Sequence, residues 1–280
     1  MSYTYPPDFN RDRAVELGTL IDAAYTQFQQ FQIGSQWSPP AGYDIKKEIF
    51  AKEPWKLGPF ALPAFITNAT PPLPFGFVAV KDGAVFVIIR GTLTPLEWLD
   101  DFTIQPEPFQ TDPAWGKTTK GFKSLNDQFM PQIAEALTDI QNSGGNLNNL
   151  FVSGHSLGAA VAHLVAGSIR VQFNASAISY TFSGPRAGDT AFAQAFGSAN
   201  LQTWRIFNTE DLVPTVPPAA VVMVQPNMGM QSTSPITHVL PLFIKMFPAG
   251  YEHIGYPIAI TFHRDTIADN HNLTTTYQAL

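Results

Sequence analysis

A serine flanked by two glycines, between a short apolar segment and an alanine-rich one, constrains this chain more than any other feature. Residues 150–152 have the composition of a buried strand, and those from Ser156 onward resemble a helix packed closely on a sheet. The pattern Gly-His-Ser-Leu-Gly at 154–158 predicts a sharp turn from strand to helix. Its glycines are expected because a Cβ at Gly154 or Gly158 would collide with the neighbouring strand or helix.

The glycine–serine pattern is a weak signal when taken alone. With glycine and serine each at roughly 7% of residues, about one random chain in ten of this length contains it. Its context is more specific, because the helix N-terminus points free N–H groups and its positive dipole end towards developing negative charge. The alternative is a plain glycine-rich turn in which Ser156 caps the helix. We predict Ser156 as a nucleophile.

Hydrophobic periodicity along the chain predicts strands that alternate with helices. This alternation predicts an α/β fold, with a central, mostly parallel sheet covered by helices on both faces. Ligands are then expected beyond the carboxyl ends of the strands. The predicted helices are 11–32, 122–140, 156–171 and 190–196, and the predicted strands are 45–51, 75–80, 84–90, 150–152, 177–182 and 203–207.

Composition excludes several classes of function. The chain has no cysteine, which excludes thiol catalysis, iron–sulfur clusters and cysteine-based zinc sites. A net charge of −6 argues against nucleic acid as a partner. Only 14% of residues are charged and 22 are phenylalanine, which suggests exposed apolar area suited to a greasy substrate or an interface.

The organisation of the chain is predicted to be simple. No linker, hinge or repeat divides residues 1–280, so we expect a single domain. No apolar run approaches the length of a membrane span. No signal peptide is visible, and the compartment is left open.

A polar loop after the predicted strand 203–207 supplies a candidate acid. Asp211 lies in this loop, near the carboxyl end of the strand, where a carboxylate is well placed to orient an imidazole and stabilise its charged form. Glu210 ranks second. The alternative for Asp211 is a turn-forming residue or a loop salt bridge.

Six histidines are available as a general base. His155 lies inside the turn, where its side chain is expected to point away from Ser156, and His163 is expected to pack on the following helix. Where a glycine–serine–glycine turn between a strand and a helix carries the nucleophile, the order along the chain is nucleophile, acid and then histidine. Position alone does not choose among the remaining four, which are His238, His253, His263 and His271.

Short motifs in a fixed order make the sequence resemble the class 3 lipases. This family of fungal-type triacylglycerol lipases belongs to the α/β-hydrolase superfamily and also includes feruloyl esterases. Residues 1–60 match no family pattern. A segment similar to 251–255 precedes the catalytic histidine in the family, so His253 is expected to be structural. The matching motifs are 88–92 with Trp98 and Asp101, 120–122, 154–158, 181–189, 208–214 and 269–277.

The resemblance implies a serine hydrolase of the α/β-hydrolase fold. It implies Ser156 as the nucleophile, Asp211 as the orienting acid and His271 as the general base. It also implies an oxyanion hole formed by the backbone N–H groups of Thr92 and Leu157, with the Thr92 hydroxyl as a further donor. No metal or organic cofactor is required.

Two apolar segments are candidates for substrate contact. In the family a short amphipathic helix after the oxyanion residue covers the site, and residues 93–99 occupy that place with leucines at helical spacing. An ordinary half-buried surface helix is the alternative. Residues 226–251 are rich in Met, Phe, Leu and Ile. We interpret them as an acyl-binding wall or a flap that contacts an interface, with an extra core helix as the alternative.

These features predict a lipase that cleaves acylglycerol esters through an acyl-enzyme on Ser156. The expected partner is an ester or lipid substrate, and a lipid–water interface is one place where the protein could meet it. The sequence leaves the oligomeric state open. Alternatives with the same fold are a short-chain or feruloyl-type esterase, a phospholipase and an acyltransferase. Alternatives of another class are a catalytically inactive protein that binds a hydrophobic ligand and a domain that only mediates protein contacts.

Overall fold

Strands whose side chains alternate between two apolar cores form the centre of the molecule. The structure, a computed structural model, describes residues 5–52, 71–92, 105–217 and 250–280. The strands of its main sheet are β1 (Asp44–Ala51), β2 (Leu73–Lys81), β3 (Ala84–Ile89), β6 (Leu150–His155), β7 (Ile178–Phe182), β9 (Thr203–Asn208) and β11 (Tyr256–Ile260).

The main sheet is mostly parallel, as predicted. Within the described residues its order is β1-β2-β3-β6-β7-β9-β11. The pairs β1–β2 and β2–β3 are antiparallel, whereas β3, β6, β7, β9 and β11 run parallel. The carboxyl ends of these five strands therefore meet at one edge, where the α/β architecture places ligands.

Helices cover both faces of this sheet. Helices α1 and α6 pack on one face, and α2, α3 and α4 pack on the other. The bounds are α1 (Arg11–Gln32), α2 (Lys120–Asn142), α3 (Leu157–Phe173), α4 (Thr190–Ser198), α5 (Ile267–Asn270) and α6 (Leu273–Gln278), with 3-10 turns at Pro113–Trp115 and Val213–Thr215.

Strand β3 shows how the sheet separates the two cores. All six of its residues are apolar and buried, as is typical of a strand in the middle of a sheet covered on both faces. Because successive side chains point to opposite faces, the strand contributes three residues to each core. Val85, Val87 and Ile89 join the core beneath α2 and α3, and Ala84, Phe86 and Ile88 join the core beneath α1.

Several short or weakly patterned strands were not predicted. In β11 only Ile258 and Ile260 are buried, and Pro257 interrupts the pattern, as is tolerated in a strand at a sheet edge. A second sheet, in the order β10-β8-β5-β4, is built from segments too short to show a period of two. Its strands are β4 (Pro106–Pro108), β5 (Lys117–Thr119), β8 (Gly188–Asp189) and β10 (Tyr251–Glu252).

Some predictions fall outside the part of the chain that the structure describes. The proposed lid at 93–99 and residues 226–249 of the apolar segment are both outside it, and their roles stay predictions, as does the single-domain organisation. Among the described residues, no helix combines the length and apolar character needed to cross a membrane.

Candidate active site

Ser156 lies in a strained turn at the carboxyl end of β6. Its φ is 57° and its ψ is −128°, a conformation that costs a non-glycine residue about 1–3 kcal/mol. The side chain is fully buried, and the backbone N–H donates to the Phe182 carbonyl at the end of β7 over 2.9 Å. Although Ser156 precedes α3, its hydroxyl caps no backbone N–H of that helix. Helix capping therefore does not account for this serine.

Three glycines make room for the turn, as the sequence predicts for two of them. A Cβ on Gly154 would overlap the Gly158 carbonyl, and one on Gly158 would overlap the Arg90 carbonyl just after β3. A Cβ on Gly91 would lie 2.8 Å from the Cβ of Ser156. The segment that follows β3 thus passes directly beside the serine.

Asp211 and His271 form a buried pair. The carboxylate Oδ2 of Asp211 lies 2.7 Å from Nδ1 of His271, and their side chains are 0% and 1% exposed. The other carboxylate oxygen accepts a hydrogen bond from the Val213 N–H at 3.0 Å. Asp211 is therefore held on both oxygens, and its contact with Nδ1 leaves Nε2 of His271 as the free ring nitrogen.

The two remaining reactive atoms are buried and available. Nε2 of His271 and Oγ of Ser156 each have no hydrogen-bond partner among the described residues, so they do not bond to each other here. Such hydrogen bonds are commonly long in an enzyme without substrate and tighten in the Michaelis complex. The serine and the histidine are nevertheless neighbours, since His155, next to Ser156, lies 3.0 Å from the His271 carbonyl oxygen.

Asn208, for which sequence reasoning predicted no role, fixes the place of the histidine. It is the last residue of β9, and its Nδ2 donates to the Asn270 carbonyl at 3.1 Å. Its Oδ1 accepts from the Phe262 N–H, also at 3.1 Å. One buried amide thus joins the loop of Asp211, the end of β11 and the residue before His271.

The two predicted oxyanion-hole residues border the serine. Leu157 is the first residue of α3, where a backbone N–H has no intrahelical carbonyl partner. Thr92 follows Gly91, whose backbone lies against Ser156. Thr92 is buried, and its hydroxyl has no partner among the described residues.

The chain is similar to known lipases and phospholipases. A family model described as Lipase (class 3) matches residues 86–221, which include Ser156 and Asp211. Over this segment the chain is similar to the class 3 lipases. One relative, the chloroplastic phospholipase A(1) DAD1 of Arabidopsis thaliana, is 25% identical over 86% of this chain and 60% of its own length. Another, the secreted mono- and diacylglycerol lipase A of Penicillium camembertii, is 30% identical over 57% of this chain and 52% of its own.

Solved structures of lipases share the fold. The lipase of Rhizopus microsporus var. chinensis aligns with a TM-score of 0.58 at 21% identity, over 78% of each chain. A propeptide complex of Rhizomucor miehei lipase aligns with a TM-score of 0.61 at 20% identity, over 94% of this chain and 73% of that one. The fold is thus the predicted α/β-hydrolase fold. The chain spans 60% and 41% of the length of the first two curated relatives it matches.

The other described histidines have different surroundings from His271. His163 is packed edge-on against Phe196, and burial together with the charge of Arg205 lowers its pKa to about 3. Burial and the charges of Arg205 and Arg186 likewise lower the pKa of His253 to about 3. The structural roles predicted for His163 and His253 fit these surroundings, whereas His238 lies outside the described residues.

Glu210, the second candidate for the acid, faces solvent. Its side chain is 46% exposed, and its nearest basic partner is His263 at 3.7 Å, which is 78% exposed. An exposed pair of this kind contributes little. The structure therefore brings Asp211, and not Glu210, to His271.

Within the described residues, no group of three or more His, Cys, Asp or Glu side chains could hold a metal ion. The described part of the site offers a serine hydroxyl, an imidazole, a carboxylate and nearby backbone N–H groups.

Proposed function

We propose that this protein hydrolyses carboxylic esters of lipids, with Ser156 as the nucleophile, His271 as the general base and Asp211 as the acid that orients it. One observation carries the proposal, namely the buried contact of 2.7 Å between His271 Nδ1 and Asp211 Oδ2 beside a serine held at φ 57°. A buried imidazole with one nitrogen fixed by a carboxylate is oriented to accept a proton on the other.

In the first half of the reaction, His271 Nε2 takes the hydroxyl proton of Ser156 while Oγ attacks the ester carbonyl carbon. Asp211 stabilises the imidazolium that forms. The backbone N–H groups of Thr92 and Leu157 then donate to the oxyanion, and removing one such donor typically costs about 3 kcal/mol in the transition state.

Collapse of the tetrahedral intermediate breaks the bond to the alcohol, which leaves with the proton from His271. Water enters, gives a proton to His271 and attacks the acyl-enzyme through a second tetrahedral intermediate. The carboxylic acid leaves, and Ser156 regains its proton. These steps balance with no co-reactant except water.

The names of the relatives support glycerolipids as substrates. One is called a mono- and diacylglycerol lipase and another a phospholipase A(1), and both names denote action on fatty-acyl esters. We therefore propose acylglycerols as the main substrate class, with diacyl phospholipids as the second candidate. In this proposal residues 93–99 form a lid, and residues 226–251 contact the acyl chain or the lipid interface.

The substrate class is tested with three esters, namely an emulsified long-chain triacylglycerol, phosphatidylcholine in mixed micelles and p-nitrophenyl acetate. We expect wild-type protein to hydrolyse the first fastest. Replacement of Ser156 by Ala should lower kcat by a factor on the order of 10⁶, that is, below detection. Ser153→Ala is the matched control, because Ser153 is also buried on β6 but bonds to the Tyr180 carbonyl.

Retained activity in Ser156→Ala would contradict the proposed mechanism. Faster turnover of phosphatidylcholine would favour the second substrate class. Hydrolysis of the acetate alone would favour the short-chain esterase.

A further inference from the structure

Tyr25, on α1, joins two segments of the candidate site from the opposite end of the sequence. Its phenol oxygen accepts a hydrogen bond from the Gly91 N–H at 3.0 Å and lies 2.8 Å from Nδ1 of His155. Gly91 precedes the oxyanion residue Thr92, and His155 precedes the nucleophile. One hydroxyl therefore contacts both neighbours of the reacting centre.

The other ring nitrogen of His155 extends this hydrogen-bond network to His271, the proposed general base. His155 Nε2 lies 3.0 Å from the backbone carbonyl oxygen of His271. The two imidazole rings also lie close together, with centroids 4.7 Å apart and a tilt of 34° between their planes. His155 thus holds the main chain of the residue whose side chain is proposed to move the proton.

The first and last groups of this hydrogen-bond network determine the direction of every hydrogen bond in it. Gly91 N–H can only donate and the His271 carbonyl can only accept. With neutral His155, Tyr25 must therefore donate its proton to Nδ1, and Nε2–H must donate to the carbonyl. Burial and the proximity of His271 lower the pKa of His155 well below its usual value, which keeps the ring neutral.

We propose that Tyr25 and His155 are positioning residues. They fix the relative positions of three segments, which carry Thr92, Ser156 and His271. The inference rests on the proposed function and extends it. Neither residue supplies a reacting atom. The geometry they hold is needed because a displacement of about 1 Å at a catalytic group can lower a rate by about 10²-fold.

A second tyrosine provides a matched control. Tyr277 on α6 also has a hydroxyl directed at α1, where it donates to Asp22 Oδ2 at 2.6 Å. Asp22 and Tyr25 are both on α1, three residues apart. Tyr277→Phe therefore removes one hydroxyl from the contact between α6 and α1, and it leaves the hydrogen bonds from Tyr25 to His271 in place.

The test measures the rate at which a fluorophosphonate labels Ser156, together with kcat and KM for a soluble ester. In Tyr25→Phe we expect labelling and kcat to fall tenfold or more with little change in KM. Tyr277→Phe should lose stability but keep the wild-type rate. His155→Gln retains a donor for the His271 carbonyl, so it should label faster than His155→Leu.

Nitrogen-15 NMR of the histidine rings supplies a readout independent of activity. We expect His155 in the wild type to be neutral, with its proton on Nε2, and its Nδ1 resonance to shift in Tyr25→Phe. A wild-type rate in folded Tyr25→Phe, or a His155 proton on Nδ1, would overturn the inference. A wild-type protein that is not labelled would contradict the proposed function instead, and the NMR measurement would still decide the hydrogen-bond chain.

Discussion

Two consecutive carboxylates, Glu210 and Asp211, have opposite surroundings, which makes them a sensitive test of the acid. Asp211→Asn keeps the shape but favours the wrong tautomer of His271, so we expect kcat to fall by about 10⁴-fold. Glu210→Gln changes a neighbouring exposed side chain and should leave kcat unchanged. The comparison uses steady-state kinetics on a soluble ester, with circular dichroism to verify the fold. Equal effects in the two variants would contradict the assignment of the acid.

The turn before Ser156 depends on glycine for steric reasons. Gly154→Ala places a methyl group against the Gly158 backbone, which cannot move as a flexible side chain would. We expect a loss of about 3 kcal/mol or more in the free energy of unfolding, measured by urea denaturation. Gly197→Ala in α4 is the control, because a Cβ there meets nothing within 4 Å. A Gly154→Ala protein as stable as Gly197→Ala would refute this account of the turn.

At the residue scale, local sequence predicted the serine and its glycines, because their geometry is imposed within five residues. The base could not be found in this way. Four histidines satisfied the order along the chain, and only the resemblance to class 3 lipases singled out His271. Tyr25 and Asn208 carry no local signal at all, since each acts through contacts with residues far away in the sequence.

At the scale of elements, long segments with strong periodicity were predicted closely, and α1 matches its predicted bounds. Element ends were predicted less well. Strand β6 continues to His155, because the chain stays extended through residues whose glycine and serine content lowers strand propensity. Strands of two or three residues, such as β8, depend on partners rather than on their own pattern.

The apolar segment 226–251 supports a prediction from sequence alone. Simultaneous replacement of Phe243, Ile244 and Phe247 by Ser removes a large apolar area, so turnover of long-chain esters should fall about tenfold or more. Turnover of p-nitrophenyl acetate, which has almost no acyl chain to bind, should stay unchanged. The assay is chain-length preference on p-nitrophenyl esters. Unchanged long-chain turnover in a folded variant would show that the segment has no such role.

At the scale of the whole molecule, buried neutral histidines make stability depend on pH. The pKa of His163 is about 3 in the folded state, whereas an ordinary histidine titrates near 6.5. As pH falls below about 6.5 the unfolded chain binds a proton that the folded chain cannot. Above this pH the histidine does not lower the free energy of unfolding. Below it, the free energy of unfolding falls by about 1.4 kcal/mol per pH unit for each such histidine, down to about pH 3.

Urea denaturation between pH 7 and pH 4 measures this effect. In His163→Leu the free energy of unfolding should fall less steeply with decreasing pH, by the contribution of one histidine. His253 should continue to contribute in the same direction. His263→Leu, at an exposed position, should leave the slope unchanged. An identical slope in wild type and His163→Leu would contradict a buried, neutral His163.

The overall architecture was predictable because alternating apolar patterns of strands and helices leave few ways to cover a sheet on both faces. The order of the strands and the meeting of α1 with the C-terminal segment were not, since they depend on long-range packing. Tyr277 against Gly18 and Asp22 illustrates this, because its ring fills the space where a Gly18 side chain would be.

The most direct test of the central claim is mass spectrometry after treatment with a fluorophosphonate, in wild type, Ser156→Ala and His271→Ala. We predict one stoichiometric adduct on Ser156, which is absent in the first variant and forms far more slowly in the second. An adduct on another residue, an undiminished rate in His271→Ala, or no adduct on folded protein even with detergent would contradict Ser156 as a nucleophile activated by the His271–Asp211 pair.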